Sequence, residues 1–186
     1  PAPDDSVTDM AISGSDIYIM GSFGNIGGQA RNYAAKLNTT NGNADATWNP
    51  DPDIRSVYVK TLGSDVYVAG HFFSIGGQDR LKIAKLNNTN GNADPDWDAP
   101  EAEGYDGGIY SLGVSDSAVY FGADFTSIGG QEMTGIAKLS ITTGAVDLAW
   151  NARSDHYQVN AIATSGSNVY VGGGFGSIGG ETRNGL

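Results

Sequence analysis

Apolar and polar positions alternate along this chain in short runs, and little of it keeps the 3.6-residue spacing of an amphipathic helix. In the run from Ile17 to Phe23, Ile17, Ile19, Gly21 and Phe23 point to one side, and Tyr18 and Met20 to the other. Both sides are largely apolar, so this strand is expected to be buried on both. A lone sheet with one wet face would not need that; sheets stacked face to face would.

The run returns. Residues 18–28 read YIMGSFGNIGG, 67–77 YVAGHFFSIGG, 120–130 YFGADFTSIGG and 170–180 YVGGGFGSIGG. The tyrosines stand 49, 53 and 50 residues apart, and the phenylalanines and isoleucines keep those intervals. A fixed period near fifty marks a repeat architecture. Each repeat offers four strands. The first covers residues 7–13, 56–62, 109–114 and 159–164, and is closed by a Gly/Ser/Asp turn suited to a tight hairpin. The second carries the tyrosine. The third contains Ala35-Lys36-Leu37, Ala84-Lys85-Leu86 and Ala137-Lys138-Leu139, and the fourth contains Trp48, Trp97 and Trp150. An all-β protein with blades of four antiparallel strands, about three and a half repeats long, is therefore expected. That is a β-propeller with a kelch-like period. A β-sandwich is the structural alternative, but it requires no repeat. The blades fall at residues 1–53, 54–106, 107–156 and, incomplete, 157–186.

The runs 171–185 and 35–50 resemble the bacterial delta-sixty-repeat type of β-propeller, in the pattern V-G-G-x-F-x-x-I-G-G-x-x-R-N-G followed by A-K-L-N-x-x-x-G-x-x-D-x-x-W-N-P. The resemblance covers nearly the whole chain. Lys36, Lys85 and Lys138 stand where Arg is commoner, and the three tryptophans where Phe is commoner. It implies a secreted or cell-surface bacterial protein and no catalytic residue.

Charge narrows the partners. Ten basic against 21 acidic residues give a net charge of −11. That excludes the clustered Lys and Arg that a nucleic-acid backbone or an anionic membrane would need. No apolar run approaches the length of a membrane-spanning helix. There is no cysteine, hence no disulfide or thiolate chemistry.

Residues present in every repeat serve every blade alike, so the aromatic residues and Ile26 with its copies are core. The Gly-Gly pairs are turns, since no helix follows them to make a phosphate cradle. The repeated lysine is read as a surface residue or as the partner of Asp45, Asp94 or Asp147. Binding is sought where repeats differ, on the face formed by the second-to-third loops and the blade connections. The candidate ligand-binding residues there are Arg31, His71, Asp79, Arg80, Tyr105, Asp124, Arg153, His156 and Tyr157. The two histidines sit in different repeats and in no triad or metal motif. Carboxylate pairs of the kind glycosidases use can be drawn from Glu101, Glu103, Asp124 and Glu132, but 21 acidic residues make chance pairs common. No catalytic residue is assigned and no cofactor is expected. Calcium is the one ion to weigh, because Asn49, Asp51 and Asp53, and Asp94, Asp96 and Asp98, place oxygens at alternate positions without forming an EF-hand loop. Asn38-Thr39-Thr40 and Asn87-Asn88-Thr89 match the glycosylation acceptor pattern but also read as ordinary turns.

The resulting expectation is a non-enzymatic extracellular scaffold for protein interaction, adhesion or assembly. A carbohydrate-binding module is the alternative, resting on Tyr105 and Tyr157, and a hydrolase comes third. In repeat register Leu186 falls just before the Ala-Lys-Leu strand, leaving residues 168–175 as an apolar edge. Either the natural chain continues, or other chains or copies of this one, as in a filament, are expected to cover the open edges.

Overall fold

The computed structural model describes residues 2–104, 108–156 and 158–186. Its regular secondary structure is entirely extended, so no described helix is long and apolar enough to cross a membrane. The chain divides into two compact units, Pro1–Trp97 and Asp98–Leu186.

The first unit holds two blades. One is built from β1 (Val7–Ser13), β2 (Asp16–Gly21), β3 (Asn25–Ile26), β4 (Gln29–Ala30) and β5 (Ala34–Asn38). The other is built from β6 (Ser56–Leu62), β7 (Asp65–Gly70), β8 (Ser74–Ile75), β9 (Gln78–Asp79) and β10 (Ile83–Asn87). In each, three strands form an antiparallel sheet with the tyrosine strand in the middle, β1-β2-β5 and β6-β7-β10. The β1–β2 register slips between Val7 and Asp9, and the β6–β7 register between Ser56 and Tyr58. The same one-residue bulge thus bends each blade at the same place. Between the second and third strands lies a miniature hairpin, β3–β4 or β8–β9. Its turn is the Gly-Gly pair, Gly27 and Gly28 at φ 61 and 80, which is the left-handed pair that a two-residue hairpin requires.

The expected fourth strand is reduced to one bridge per blade, Leu37 with Ala44 and Leu86 with Ala93, and Trp48 and Trp97 lie in irregular chain just beyond. Local hydrogen bonding explains this. Asp45 Oδ1 accepts from the Thr47 amide at 2.8 Å and the Trp48 amide at 3.4 Å, and Asp94 Oδ1 from the Asp96 amide at 3.0 Å. An Asp that bonds the backbone two residues on makes a turn and takes those amides out of the ladder.

The two faces of β2 have different partners, as the alternation predicts. Tyr18, Met20, Ala34 and Trp48 pack with Val59, Val66 and Val68 of the second blade. Ile19, Ala35 and Leu37, on the opposite face, are buried with Phe23 and Ile26 from the blade's own hairpin segment. Tyr18 meets Trp48 edge-on at 5.3 Å between ring centroids, and Tyr67 meets Trp97 at 5.9 Å.

The second unit repeats the plan with β11 (Ala102–Glu103), β12 (Ile109–Val114), β13 (Ala118–Ala123), β14 (Ser127–Ile128), β15 (Gln131–Glu132) and β16 (Ile136–Ser140). Its second blade comprises β17 (Val159–Ser165), β18 (Asn168–Gly173), β19 (Ser177–Ile178) and β20 (Glu181–Thr182). The sheet β12-β13-β16 is complete, with a Leu139–Val146 bridge, whereas β17-β18 has two strands. Trp150, Ile162 and Val171 meet in the core of this unit with Val159 and Phe175. The architecture is that of repeated β-propeller blades.

Candidate interaction surface

The repeated lysine is held at the outer edge of each complete blade. Lys36 Nζ lies 3.3 Å from Asp16 and 3.1 Å from Asp45, and Lys85 Nζ 3.3 Å from Asp65 and 3.0 Å from Asp94. Lys138 pairs with Asp147 at 2.7 Å. These are the carboxylate partners that the sequence suggested. Burial raises the Asp45 pKa, but the Thr47 hydroxyl and amide and the Lys36 ammonium outweigh it and hold the carboxyl at about 2. Burial pushes the Tyr67 hydroxyl up, assisted by the charge of Asp65. These clusters recur in the complete blades, and they clamp the third strand to its neighbours.

The divergent loops are more tightly bound than their composition suggests. Arg31 and Arg80 are buried. The Arg31 guanidinium donates to the carbonyls of Ala30 and Asp45 at 2.7 and 2.6 Å, and that of Arg80 to Asp79 and Asp94 at 2.8 and 3.0 Å. Each arginine pins its hairpin to the chain beyond the third strand. Asp79 is exposed on β9. His71 is half-buried, and burial, then the charges of Arg55 and Lys82, lower its pKa. Its Nδ1 has no hydrogen-bond partner among the described residues.

In the second unit, Asp124 is half-buried directly after β13, and Arg153 approaches Glu132 at 3.8 Å in an exposed ion pair. His156 is exposed, and its carbonyl accepts from the Ser154 hydroxyl. Glu103 accepts from the Ser127 hydroxyl at 3.0 Å. Tyr105 and Tyr157 lie outside the described residues. Arg31, Asp79 and Arg80 are thus brought to the hairpin segments of one unit and Glu132 and Arg153 to a surface pair of the other, but no described set converges on a pocket.

The acidic connections have a use that the sequence reading missed. Asp4 Oδ1 accepts from the amides of Gly24 and Asn25, both at 2.9 Å. Asp53 Oδ1 accepts from Phe73 and Ser74 at 2.9 and 3.1 Å, and Asp155 Oδ1 from Gly176 at 2.9 Å. Each carboxylate latches the start of the hairpin about twenty residues downstream. The bond from the Asn25 side chain lowers the Asp4 pKa most, and the backbone bond with Ser177 does so for Asp155. The available signal was a repeat interval: Asp4 and Asp53 stand 49 residues apart, like Tyr18 and Tyr67.

Three of the carboxylates considered for calcium are engaged within the fold: Asp53 and Asp94 as above, and Asp51, which accepts from the Asn32 side chain at 2.8 Å. Among the described residues no three His, Cys, Asp or Glu side chains group as metal ligands. Asn38 and Asn87 use Oδ1 to accept amides two and three residues on, which is ordinary turn chemistry.

What remains open is apolar. The face of β1 is the counterpart of the one that β6 buries, yet Met10 and Ile12 are 57% and 64% exposed where Val59 is fully buried. On β18, Tyr170 is 58% exposed, whereas Tyr18, Tyr67 and Tyr120 are at most 5% exposed.

A family model described as a β-propeller domain of unknown function (DUF5122) matches residues 16–47 and 65–96, the tyrosine strand through the bridge residue of each blade in the first unit. No curated protein sequence matches the chain. Among solved structures, the computationally designed protein Ika8 aligns at TM-score 0.61 and 15% identity over 93% of this chain, which spans 44% of Ika8. The computationally designed Ika4 aligns at TM-score 0.62 and 15% identity over 92% of this chain and 88% of its own. The chain thus spans less than half the length of Ika8. At such identity these likenesses concern fold alone, and with the family match they make this a β-propeller repeat protein.

Proposed function

We propose that this protein is a non-catalytic repeat scaffold, working outside the cell or at its surface, that holds other polypeptide chains against its open blade faces. The observation that carries this reading is the pair of uncovered faces at Met10 and Ile12 and at Tyr170. In the first unit the tyrosine face of one blade buries the β6 and β7 face of the next. Tyr170 belongs to the first kind of face, and Met10 and Ile12 to the second. A second copy therefore offers a matching surface for each, in a head-to-tail contact. Apolar side chains this exposed and this regularly placed mark interaction sites. The extracellular setting is supported by the resemblance to delta-sixty-repeat proteins, and the absence of a catalytic role by polar loop residues spent on backbone contacts.

Sedimentation velocity tests the reading. The wild-type chain is expected to associate as its concentration rises. Met10→Glu with Ile12→Glu is expected to shift it towards the 19.3 kDa monomer without lowering its melting temperature. A wild-type chain that stays monomeric at high concentration, or a double variant that associates equally well, overturns it.

A further inference from the structure

The second blade carries large side chains where the other blades carry small ones. Hydrogen bonds lay three of its loop segments side by side, where β6 begins and β7 ends. The His71 amide donates to the Arg55 carbonyl at 3.1 Å, and the Phe73 amide to Asp53 Oδ1 at 2.9 Å. The amides of Arg80 and Lys82 donate to the carbonyls of Phe73 and Phe72 at 2.9 and 3.0 Å. Ile54, Arg55, His71, Phe73, Leu81 and Lys82 are thereby gathered into one loop cluster. The first blade makes the same bonds, from the Ser22 amide to Ser6 and from the Arg31 amide to Gly24. Its residues at the six positions are Asp5, Ser6, Ser22, Gly24, Asn32 and Tyr33. In the other unit Thr126 and Gly176 stand where Phe73 does, and Thr134 and Asn184 where Leu81 does. The repeat is thus built without Arg55, Phe73 or Leu81, so its packing does not call for them.

Nor does the fold use them in the second blade. Phe73 is 53% exposed, and Ile54 and Leu81 are exposed with it. Arg31, Arg80 and Arg183 donate to backbone carbonyls and Arg153 pairs with Glu132. Arg55 is exposed and has no acceptor among the described residues. His71 Nδ1 is buried without a partner, and the charges of Arg55 and Lys82 both act on its ring. Segments 53–55, 71–74 and 80–82 set Arg55, Arg80 and Lys82 against Asp53, a net charge of 3 − 1 = +2 with His71 neutral. With the adjoining Asp79 counted it is 3 − 2 = +1, in a chain of net charge −11. Exposed aromatic and aliphatic side chains around a free arginine have the composition of an interface rather than of a solvated loop.

We propose that this loop cluster binds an acidic polypeptide segment bearing apolar side chains, with a carboxylate on Arg55 and an apolar side chain against Phe73 and Leu81. The arginine fork matches a carboxylate in geometry as well as in charge. Nucleic acid or an anionic membrane would need cations over a wide surface, and here they are confined to one cluster of an acidic protein. The surface shares no residue with the open blade faces and goes beyond the scaffold reading.

The probe is the fluorescein-labelled peptide Asp-Glu-Asp-Phe-Glu-Leu-Asp-Glu-Gly, titrated onto the full chain and followed by anisotropy. Saturable one-to-one binding is expected, weakening as salt is raised. Arg55→Ser and Phe73→Thr insert the residues that the repeat already carries at Ser6 and Thr126, so both variants are expected to keep the wild-type melting temperature. Each is expected to weaken binding about ten-fold, and with Leu81→Asn added to both, binding should be lost. Replacing the peptide's acids by Asn and Gln, or its Phe and Leu by Ser, should weaken it by a similar factor. No saturable binding, equal binding by Arg55→Ser, or equal binding of the uncharged peptide overturns the inference. Co-sedimentation of the wild-type chain, but not the triple variant, with phosphatidylserine vesicles in the absence of peptide binding overturns it in favour of a lipid surface. Self-association through Met10 and Ile12 is measured separately, so either reading can fail while the other stands.

Discussion

Trp48 donates its indole N–H to the carbonyl of Asn87 at 3.0 Å, across from one blade to the next. Its ring is fully buried and packs edge-on against Tyr18. The residue therefore joins the two blades of its unit by a polar contact inside an apolar core. Trp48→Phe is expected to leave the Asn87 carbonyl without its donor and to cost about 1–3 kcal/mol. Trp48→Ala adds a cavity and is expected to cost about 3–5 kcal/mol. Urea unfolding of the two variants checks the order; an unchanged midpoint in Trp48→Phe would mean that the hydrogen bond contributes nothing, and equal losses that the packing of the ring does not.

The latch from Asp53 to the Phe73 and Ser74 amides predicts a local effect. Asp53→Ala removes the acceptor and should speed exchange of those two amides by roughly an order of magnitude, while amides within β7 change little. Asp53→Asn keeps an oxygen in place and should restore most of the protection. Hydrogen exchange read by NMR separates the outcomes. Unchanged exchange at Phe73 and Ser74 in the alanine variant would remove the latch from the account.

The blades were legible because their signals are carried by side-chain identity at fixed intervals. Tyr18 and Tyr67 announce a core position twice, and Lys36 and Asp45 recur together as Lys85 and Asp94. The latches were harder to read, because the donors that meet each carboxylate are backbone amides and only the interval from Asp4 to Asp53 marks them in sequence. Asp53, beside Pro52, reads as turn punctuation until its distant partner is seen. The burial of Arg31 and Arg80 was hidden for a related reason. They stand in loops that vary, but two carbonyls meet each guanidinium and draw it inside. The fourth strand was over-read because the pattern around Trp48 fits a strand, whereas the Asp45 side chain takes the amides that a strand would use.

Acid should weaken the first unit through Asp45. Its carboxyl is held at about 2 in the folded chain, below the ordinary value of 3.8. A depressed folded value means that the ionised group stabilises the fold fully above the unfolded value, and that this contribution is lost as pH falls through the folded one. Lys36 has the opposite sign. Burial lowers its pKa, but bonds to Asp45 and Asp16 raise it further, so its contribution is complete below 10.5 and is lost at higher pH. Melting temperatures measured from about pH 5 to about pH 2 should fall more steeply for the wild-type chain than for Asp45→Asn. The variant should start lower and converge on the wild type at the acid end. Parallel curves would show that the Asp45–Lys36 pair adds no stability.

The Gly-Gly turns give a test in which one repeat serves as the control for another. Gly27 and Gly28 both have positive φ, so alanine at either meets the left-handed penalty of about 1–2 kcal/mol. Their surroundings differ. A Cβ on Gly28 would meet nothing within 4 Å, whereas one on Gly27 would lie 2.5 Å from the Ala44 amide nitrogen and 2.8 Å from Leu37 Cδ2. That amide donates to the Gly27 carbonyl at 2.9 Å, so the turn cannot move away without breaking its tie to the bridge residue. Overpacking of this kind adds about 1–3 kcal/mol. On the hairpin after β18 the crowding is absent, because the nearest atom to a Cβ on Gly179 is the Asn151 carbonyl oxygen at 3.9 Å. Gly27→Ala should therefore shift the urea midpoint much more than Gly28→Ala, while Gly179→Ala and Gly180→Ala should shift it by similar, smaller amounts. If Gly27→Ala and Gly28→Ala prove equal, backbone strain alone governs these turns and the close approach of residue 44 is not a constraint on the blade.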